Sequence, residues 1–278
     1  MMIHARTPTR IDLAGGTLDI PPLYLFEDGG ITLNLSITLH CEVTIEPRDH
    51  GVVLVSRDTG ASLHAESYDQ LPLGGELDLV ARVVRFYRPG SGIRVETHNQ
   101  APKGSGLGAS SALLIALSGA LNRALHNRYT QEDLIHNAAN LEAQCIRIPT
   151  GKQDYYGATY SGVKAIWFGV EGDRVEPLMV EDRLLEELES RLVLTFTGES
   201  HFSGATNWEM FRGYIDGVPG VRLALQMIKQ TALEMRGALL QGDIPEFARL
   251  LNVEWENRKA LAAGVSTPQI ERMVHAAN

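Results

Sequence analysis

The sequence predicts an α+β protein in two domains, because strand patterns and helix patterns occupy largely separate stretches of the chain. Residues 31–47 alternate apolar and polar side chains and include many β-branched ones, which is typical of a half-buried strand. From Ser110 onward the apolar residues repeat at helical spacing instead. A Glu-Gly-Asp turn at 171–173 then separates a first domain, 1–175, from a mostly helical second domain, 176–278.

The predicted strands lie mainly in the first domain. Residues 1–9 are strand-like, and 52–56 is expected to pair with 31–47 across the turn at Asp49–Gly51. Further strands are expected at 93–97, 163–168 and 192–196.

Four helices follow from apolar spacing and end signals. The first covers 110–125, directly after a Gly-rich turn. Thr130 and Asp133 have the spacing of a capping box, which starts a second helix that reaches Ile146 and ends before Pro149. Two more helices are expected over 221–240, closed by Gly242, and over 245–263.

The composition restricts the classes of function. The 278 residues are 44% hydrophobic and 21% charged, which is ordinary for a globular protein. A formal net charge of −9 argues against a nucleic-acid partner, since such proteins need a basic face. Cys41 and Cys145 form no C-x-x-C pattern, which argues against a disulfide framework or a zinc site. No signal-peptide core and no membrane-length apolar run is present, so a cytoplasmic location without membrane contact is expected.

The most informative stretch is 102–112, which reads PKGSGLGASSA and joins a predicted strand to a predicted helix. Alternating glycines let backbone N–H groups approach an anion, and the helix start adds unpaired N–H donors. The small residues that follow leave room for a phosphate group. A plain strand-to-helix turn with a serine cap is the alternative.

Two other phosphate-binding motifs are disfavoured. The P-loop pattern G-x-x-x-x-G-K-[S/T] does not occur. Gly104, Gly106 and Ala109 satisfy the dinucleotide pattern G-x-G-x-x-[G/A], but that motif needs an acidic residue about twenty positions later, at the end of the next strand. The chain there enters a helix that Asp133 caps, so a Rossmann site is not expected.

Downstream carboxylates supply the oxygens that phosphoryl transfer needs. Glu142 lies late on the second predicted helix, and Asp154 follows twelve residues later. Together with Ser110 they can accept a hydroxyl proton and hold Mg²⁺ on the phosphates of a nucleotide. Taken singly, a helical Glu on a solvated face and a turn-forming Asp are the alternatives.

The N-terminal segment 8–19 places Arg10, two carboxylates and a Gly-Gly turn in one short stretch. The glycine pair permits a tight backbone passage, and Asp19 just beyond it is suited to accept hydrogen bonds from ligand hydroxyls. A hairpin connection with surface charges is the alternative.

Together these segments resemble the three N-terminal signatures of the GHMP kinases, the family of galactokinase, homoserine kinase and mevalonate kinase. The first signature resembles 8–19. The second, P-x-x-x-G-L-G-S-S-A, resembles 102–112, with Ala109 in place of its first serine. The third is a helix glutamate followed by a G-x-Q-D turn, which resembles Glu142 and 151–154.

The resemblance implies a role for each matching residue. Asp154 is the catalytic base, and Arg10 is the cation that holds it ionised. Ser110 and Glu142 are Mg²⁺ ligands, and Asp19 contacts sugar hydroxyls. The implied ATP-phosphate loop consists of Lys103, Gly104, Ser105, Gly106, Leu107, Gly108, Ala109, Ser110 and Ser111. Further substrate contacts are expected from Gly16, Thr17, Lys152 and His201, although the polar turn that carries His201 is equally typical of a plain surface loop.

The resemblance also implies a fold and a substrate. The family combines an N-terminal ribosomal-S5-domain-2-like domain, which has an unusual left-handed crossover, with a ferredoxin-like C-terminal domain. The Gly-Gly-Thr-x-Asp turn and the stretch 151–156 look most like bacterial kinases of D-glycero-D-manno-heptose phosphates, which supply heptose for cell-surface polysaccharide. ATP and Mg²⁺ are the implied cofactors, and Lys152, Arg147 and Lys103 the implied contacts of the acceptor phosphate. A kinase of galactose, fucose or mevalonate type and a non-catalytic binding or regulatory protein are the alternatives.

A last expectation concerns the C-terminal domain. GHMP kinases carry a further motif resembling G-A-G-x-G-G, whereas every glycine after Gly198 is isolated. The sequence stops at Asn278 within a helical pattern. We therefore expect the second domain to be incomplete, and the 278-residue form to be inactive or weakly active unless another chain completes it.

Overall fold

The structure, a computed structural model, describes residues 1–198 and 203–277. Seven strands and ten helices lie within these ranges, which confirms the predicted α+β class. In chain order they are β1 (Ile3–Ala14), α1 (Leu23–Phe26), β2 (Gly30–Arg48), β3 (Val52–Ser56), β4 (Ser62–Ala65), α2 (Asp78–Tyr87), β5 (Gly92–Asn99), α3 (Ala109–Ala124), α4 (Gln131–Ile146), α5 (Gln153–Thr159), β6 (Val163–Phe168), β7 (Arg174–Pro177), α6 (Asp182–Arg191), α7 (Ser203–Ile215), α8 (Val221–Gln241), α9 (Ile244–Lys259) and α10 (Pro268–Ala277).

Contacts between Cα atoms divide the chain into two compact units. The first, unit 1, comprises 1–10, 36–148 and 154–161, and the second, unit 2, comprises 11–35, 149–153 and 162–278. Strands β1 and β2 each contribute residues to both units. The predicted domain boundary near residue 175 stays a prediction.

In unit 1 the strands follow the order β4-β3-β5-β2. Strand β3 pairs parallel with β5, with Val52 opposite Ile93, and antiparallel with β4. The prediction that 52–56 pairs with 31–47 is therefore wrong, because β5 lies between them. Strand β3 is almost continuously buried, because it lies between two neighbouring strands, β4 and β5, in the sheet.

Helices α2, α3 and α4 of unit 1 pack against one another. The predicted capping box at the start of α4 is confirmed: the Thr130 hydroxyl accepts from the Asp133 N–H at 3.1 Å, and the Asp133 carboxylate accepts from the Thr130 N–H at 2.9 Å. Helix α4 ends at Ile146, as predicted, and Arg147 takes a left-handed conformation after it. Helix α3 is apolar on most of its surface and is accordingly buried over most of its length.

In unit 2, β6 pairs antiparallel with both β2 and β7, and the apolar faces of α6, α8 and α9 cover this part of the sheet. Helix α8 ends at the left-handed Gly242, as predicted. The predicted strand at 192–196 is wrong: these residues belong to no strand, and Val193 and Leu194 are exposed. A β-prone run forms a strand only where a neighbouring strand pairs with it. Among the described helices, none is long and apolar enough to cross a membrane.

Candidate active site

The glycines of the predicted phosphate loop are required by its backbone. Gly104, Gly106 and Gly108 have φ of 73°, 75° and 70°, a region that side-chain-bearing residues rarely adopt. Gly108 is the last residue before α3, and Ser110 is exposed in the first turn of that helix. The turn therefore presents its backbone and the N–H groups of a helix start beside the exposed Ser110, an arrangement that suits phosphate binding.

Arg10 of β1 joins this turn to a carboxylate within unit 1. Its Nη1 donates to the carbonyl of Gly106 at 2.8 Å, and its backbone N–H donates to the carbonyl of Leu107 at 3.1 Å. Its Nε donates to Oδ1 of Asp154 at 2.7 Å, and its Nη2 donates to the same oxygen. The guanidinium is buried, so one cation fixes both the turn and Asp154.

Asp154 lies in the first turn of α5 with its side chain 26% exposed. It lies against the phosphate loop, since a Cβ added to Gly108 would be 3.2 Å from its Cγ. Both hydrogen bonds from Arg10 end on Oδ1, and Oδ2 accepts no hydrogen bond from residues 1–198 and 203–277. Asp154 therefore offers one immobilised and one available oxygen beside the loop.

Glu142 of α4 is buried, which rules out the solvated helix face considered from the sequence. Its Oε2 accepts from the hydroxyl of Ser111 at 3.1 Å and from that of Tyr155 at 2.5 Å. Burial raises the pKa of the Glu142 carboxyl, although hydrogen bonds from Tyr155 and Ser110 oppose this rise. Sequence analysis did not identify Tyr155 as a partner of Glu142, because nothing in the local pattern reports a contact between α4 and α5.

Within unit 2, three of the predicted substrate residues gather around the end of the segment 149–153. Asp19 is buried, and its Oδ2 accepts from the backbone N–H of Gln153 at 2.9 Å. Gly16 lies close to the same residue, since an added Cβ would be 3.0 Å from Nε2 of Gln153. Lys152 precedes Gln153 and donates to Asp173 at 2.9 Å. Burial opposes the charge of Lys152, but the bond to Asp173 raises its pKa, so this cation is already paired.

Three further predicted residues have contacts or exposure that the structure describes. Thr17 is buried and donates to the sulfur of Met210 at 3.3 Å. Lys103 and Arg147 are exposed in unit 1. His201 lies outside the described residues.

Two charged side chains of α9 lie close to this group and were not predicted from the sequence. Arg258 donates to Glu254 and lies 3.5 Å from Oδ2 of Asp12. Their i, i+4 spacing was visible in the sequence, but such pairs are usually exposed and carry little information about a site.

Comparison with known proteins places these features in a family. The family model described as GHMP kinases N terminal domain matches residues 78–162 of this chain. The chain is 30% identical over 278 residues to D-glycero-alpha-D-manno-heptose 7-phosphate kinase of Campylobacter jejuni, covering 98% of this chain and 81% of that protein. It is 29% identical to L-fucokinase/L-fucose-1-P guanylyltransferase of Bacteroides fragilis, covering 98% of this chain but only 32% of that longer protein.

A solved structure agrees with this assignment. The structure of a D-glycero-D-manno-heptose 1-phosphate kinase from Bacteroides thetaiotaomicron superposes with a TM-score of 0.78 at 31% identity, covering 93% of this chain and 79% of that chain. The segment 78–162 contains the phosphate loop, Glu142 and Asp154, which are the residues on which the sequence resemblance rested. The resemblance is confirmed, and this chain belongs to the GHMP kinase family.

Proposed function

We propose that the protein transfers the γ-phosphate of ATP to a hydroxyl group of a heptose phosphate, with Mg²⁺ as the metal cofactor. The observation that carries the proposal is the Asp154 carboxylate, which Arg10 holds against the phosphate loop with one oxygen available. The names of the two relatives at 30% and 31% identity support the choice of acceptor. Because ATP is the donor, we place the reaction in the cytoplasm.

ATP phosphates bind at the Gly-rich turn in this proposal. The three left-handed glycines leave backbone N–H groups unobstructed, and the start of α3 adds the positive end of a helix dipole. Lys103 at the start of the turn is exposed and supplies a positive charge near the same segment.

The residues present fit a magnesium ion. Ser110 is exposed in the first turn of α3, and the hydroxyl of the next residue, Ser111, donates to the carboxylate of Glu142 at 3.1 Å, so a neutral and a charged oxygen donor lie in the same region. Magnesium sites in kinases use one or two protein oxygens together with substrate phosphates. When bound, the ion neutralises charge on the phosphate oxygens. Tyr155 and Ser111 hold the Glu142 carboxylate in place for this purpose.

Asp154 is the proposed general base. The acceptor oxygen forms a bond to the γ-phosphorus, the bond from that phosphorus to the β–γ bridging oxygen breaks, and ADP leaves with the electron pair. The proton of the acceptor hydroxyl goes to Oδ2 of Asp154. Arg10 keeps the carboxylate oriented through Oδ1, which leaves Oδ2 for the proton.

Asp19 is the proposed contact of acceptor hydroxyls, since a buried carboxylate accepts strong hydrogen bonds from a polyol. The acceptor phosphate needs a cation, and Lys103, Arg147 and Lys152 are the proposed set. Asp173 already pairs with Lys152, so we expect Arg147 and Lys103 to contribute more of the phosphate selectivity.

A coupled ADP-release assay tests the proposal. The acceptors are heptose 1-phosphate, heptose 7-phosphate, the unphosphorylated heptose, galactose, fucose and mevalonate, and Asp154→Asn is the control for background ATPase activity. We expect the highest kcat/KM with a heptose phosphate. A clear preference for fucose, galactose or mevalonate would refute the acceptor and leave the kinase family intact. ATP binding without turnover on any acceptor would favour the non-catalytic alternative.

A further inference from the structure

Arg258 is a partly buried cation on α9 that no motif of the family signatures includes. Its Nη2 donates to Oε1 of Glu254, one helical turn earlier, and lies 3.5 Å from Oδ2 of Asp12. The Arg258 side chain is only 21% exposed and that of Glu254 only 7%. On the same helix the pair of Arg249 and Glu246 is 57% and 38% exposed, so the two pairs differ mainly in burial.

The pair contacts the Gly-Gly turn of the first signature. The backbone N–H of Gly15 donates to Oε1 of Glu254 at 3.2 Å. A Cβ added to Gly16 would lie 2.1 Å from Oδ2 of Asp12 and 3.1 Å from Nη1 of Arg258. A side chain at position 16 would therefore displace the Asp12 carboxylate from its present place beside the turn.

From this turn the contacts continue to Asp19. The Nε2 of Gln153 donates to Oδ2 of Asp12 at 3.4 Å, and Asn34 donates to Oε1 of Gln153 at 2.8 Å. The backbone N–H of Gln153 then donates to Oδ2 of Asp19 at 2.9 Å. An unbroken set of hydrogen bonds thus joins Arg258 to the proposed acceptor contact.

The charges in this set favour a role in positioning. Asp12, Glu254 and Asp19 place three carboxylates around Arg258, and the first two contact it directly. Burial opposes the charge of Arg258, yet Glu254 and Asp12 raise its pKa, so it stays cationic. A buried ion pair is a weak source of stability, because desolvation offsets much of the attraction. Precise placement of the turn and of Asp19 is a function that such a pair serves well.

We propose that Arg258 is a positioning residue for the acceptor: through Glu254, Asp12 and Gln153 it sets the place of the Gly-Gly turn and of the Asp19 carboxylate. The proposal rests on the proposed role of Asp19 in acceptor binding. It assigns a substrate-binding function to α9, far along the chain from the three signatures.

Steady-state kinetics of Arg258→Met test this assignment, with the acceptor that the wild type phosphorylates fastest in the panel above. The role of Arg258 is therefore tested even if the preferred acceptor is not a heptose phosphate. We expect the acceptor KM to rise about 10- to 100-fold, with the ATP KM changed less than twofold. Arg258→Lys restores part of the loss because it keeps the charge, and Arg249→Met, the exposed counterpart on α9, has no effect. An unchanged acceptor KM, or an equal rise in both KM values, would overturn the proposal.

A double-mutant cycle separates positioning from general stability. If Arg258 acts through Asp19, the effects of Arg258→Met and Asp19→Asn on acceptor KM are strongly non-additive, whereas those of Arg249→Met and Asp19→Asn add. Full additivity in the first cycle would contradict the proposal. If Arg258→Met does not fold, Glu254→Gln, which keeps the side-chain shape, takes its place with the same expected split between the two KM values.

Discussion

The two clusters of charged residues use carboxylates in different ways. In unit 1, Arg10 contacts one partly exposed carboxylate, Asp154, and leaves an oxygen of it available. In unit 2, Arg258 contacts Glu254 and Asp12, and the neighbouring Asp19 is buried. The first arrangement suits a group that exchanges a proton, and the second suits groups that hold a ligand in place. We therefore expect Asp154 to control kcat and Asp19 to control the acceptor KM.

The largest expected effect is that of Asp154→Asn. An amide cannot accept the hydroxyl proton, so kcat falls roughly 10²- to 10⁴-fold while ATP affinity stays near that of the wild type. Asp216→Asn removes a carboxylate from an exposed Arg–Asp pair and is the matched control. The measurement is ADP release at saturating ATP and acceptor. A kcat near that of the wild type would refute the assignment of Asp154 as the base.

The next effect is that of Glu142→Gln on metal use. Loss of the carboxylate weakens Mg²⁺·ATP use, and Tyr155→Phe, which removes a hydrogen bond to Glu142, gives a smaller loss of about tenfold. High Mg²⁺ or Mn²⁺ partly rescues both variants. The measurement is rate against free Mg²⁺ at fixed ATP. An unchanged Mg²⁺ dependence in Glu142→Gln would contradict a metal role.

A third prediction concerns Asp19 in unit 2. Asp19→Asn keeps the size of the side chain and its bond to Gln153 but loses the charge that strengthens hydrogen bonds to acceptor hydroxyls. We expect the acceptor KM to rise about tenfold and kcat to change little. If kcat falls as far as in Asp154→Asn, the proposal that one cluster serves turnover and the other serves acceptor binding is wrong.

The smallest effect is a pH dependence of stability. Burial raises the pKa of Glu142 in the folded protein, so the folded state keeps this proton to a higher pH than the unfolded chain. Stability from this group is thus present below the unfolded pKa and is lost as pH rises. Relative to Glu142→Gln, the wild-type free energy of unfolding falls as the pH rises above the ordinary glutamate pKa of about 4.3, with a slope of at most about 1.4 kcal/mol per pH unit. Chemical denaturation without ATP and Mg²⁺ measures this. A difference between the two proteins that is constant over this range would contradict it.

Local signals in the sequence located the longest strands and helices but missed shorter elements such as β4, β7 and α6. The Thr130–Asp133 box fixed the start of α4, and apolar alternation located β2. The pairing of the strands was not predictable from local signals. The parallel partner of β3 is β5, and helix α2 lies between these two strands along the chain. The exposed segment 192–196 shows the same limit, since β-propensity does not reveal whether a partner strand exists.

The site residues show the same difference between local signals and long-range contacts. Glu142 and Asp154 were found because each stands in a short motif. Arg258 was missed because its partner Asp12 is 246 residues away, and only the fold brings the two together. Glu142 and Asp154 were therefore accessible from motifs, whereas Arg258 is identified only from its contacts.

The central claim is that Asp154 serves turnover and Asp19 serves acceptor binding. Calorimetric titration of the acceptor into Asp154→Asn and Asp19→Asn, in the absence of ATP, tests this claim most directly, because it measures binding without catalysis. We expect Asp154→Asn to bind the acceptor with the wild-type Kd, and Asp19→Asn to bind it about tenfold more weakly. Equal loss of acceptor binding in both variants, or a loss in Asp154→Asn alone, would contradict the account.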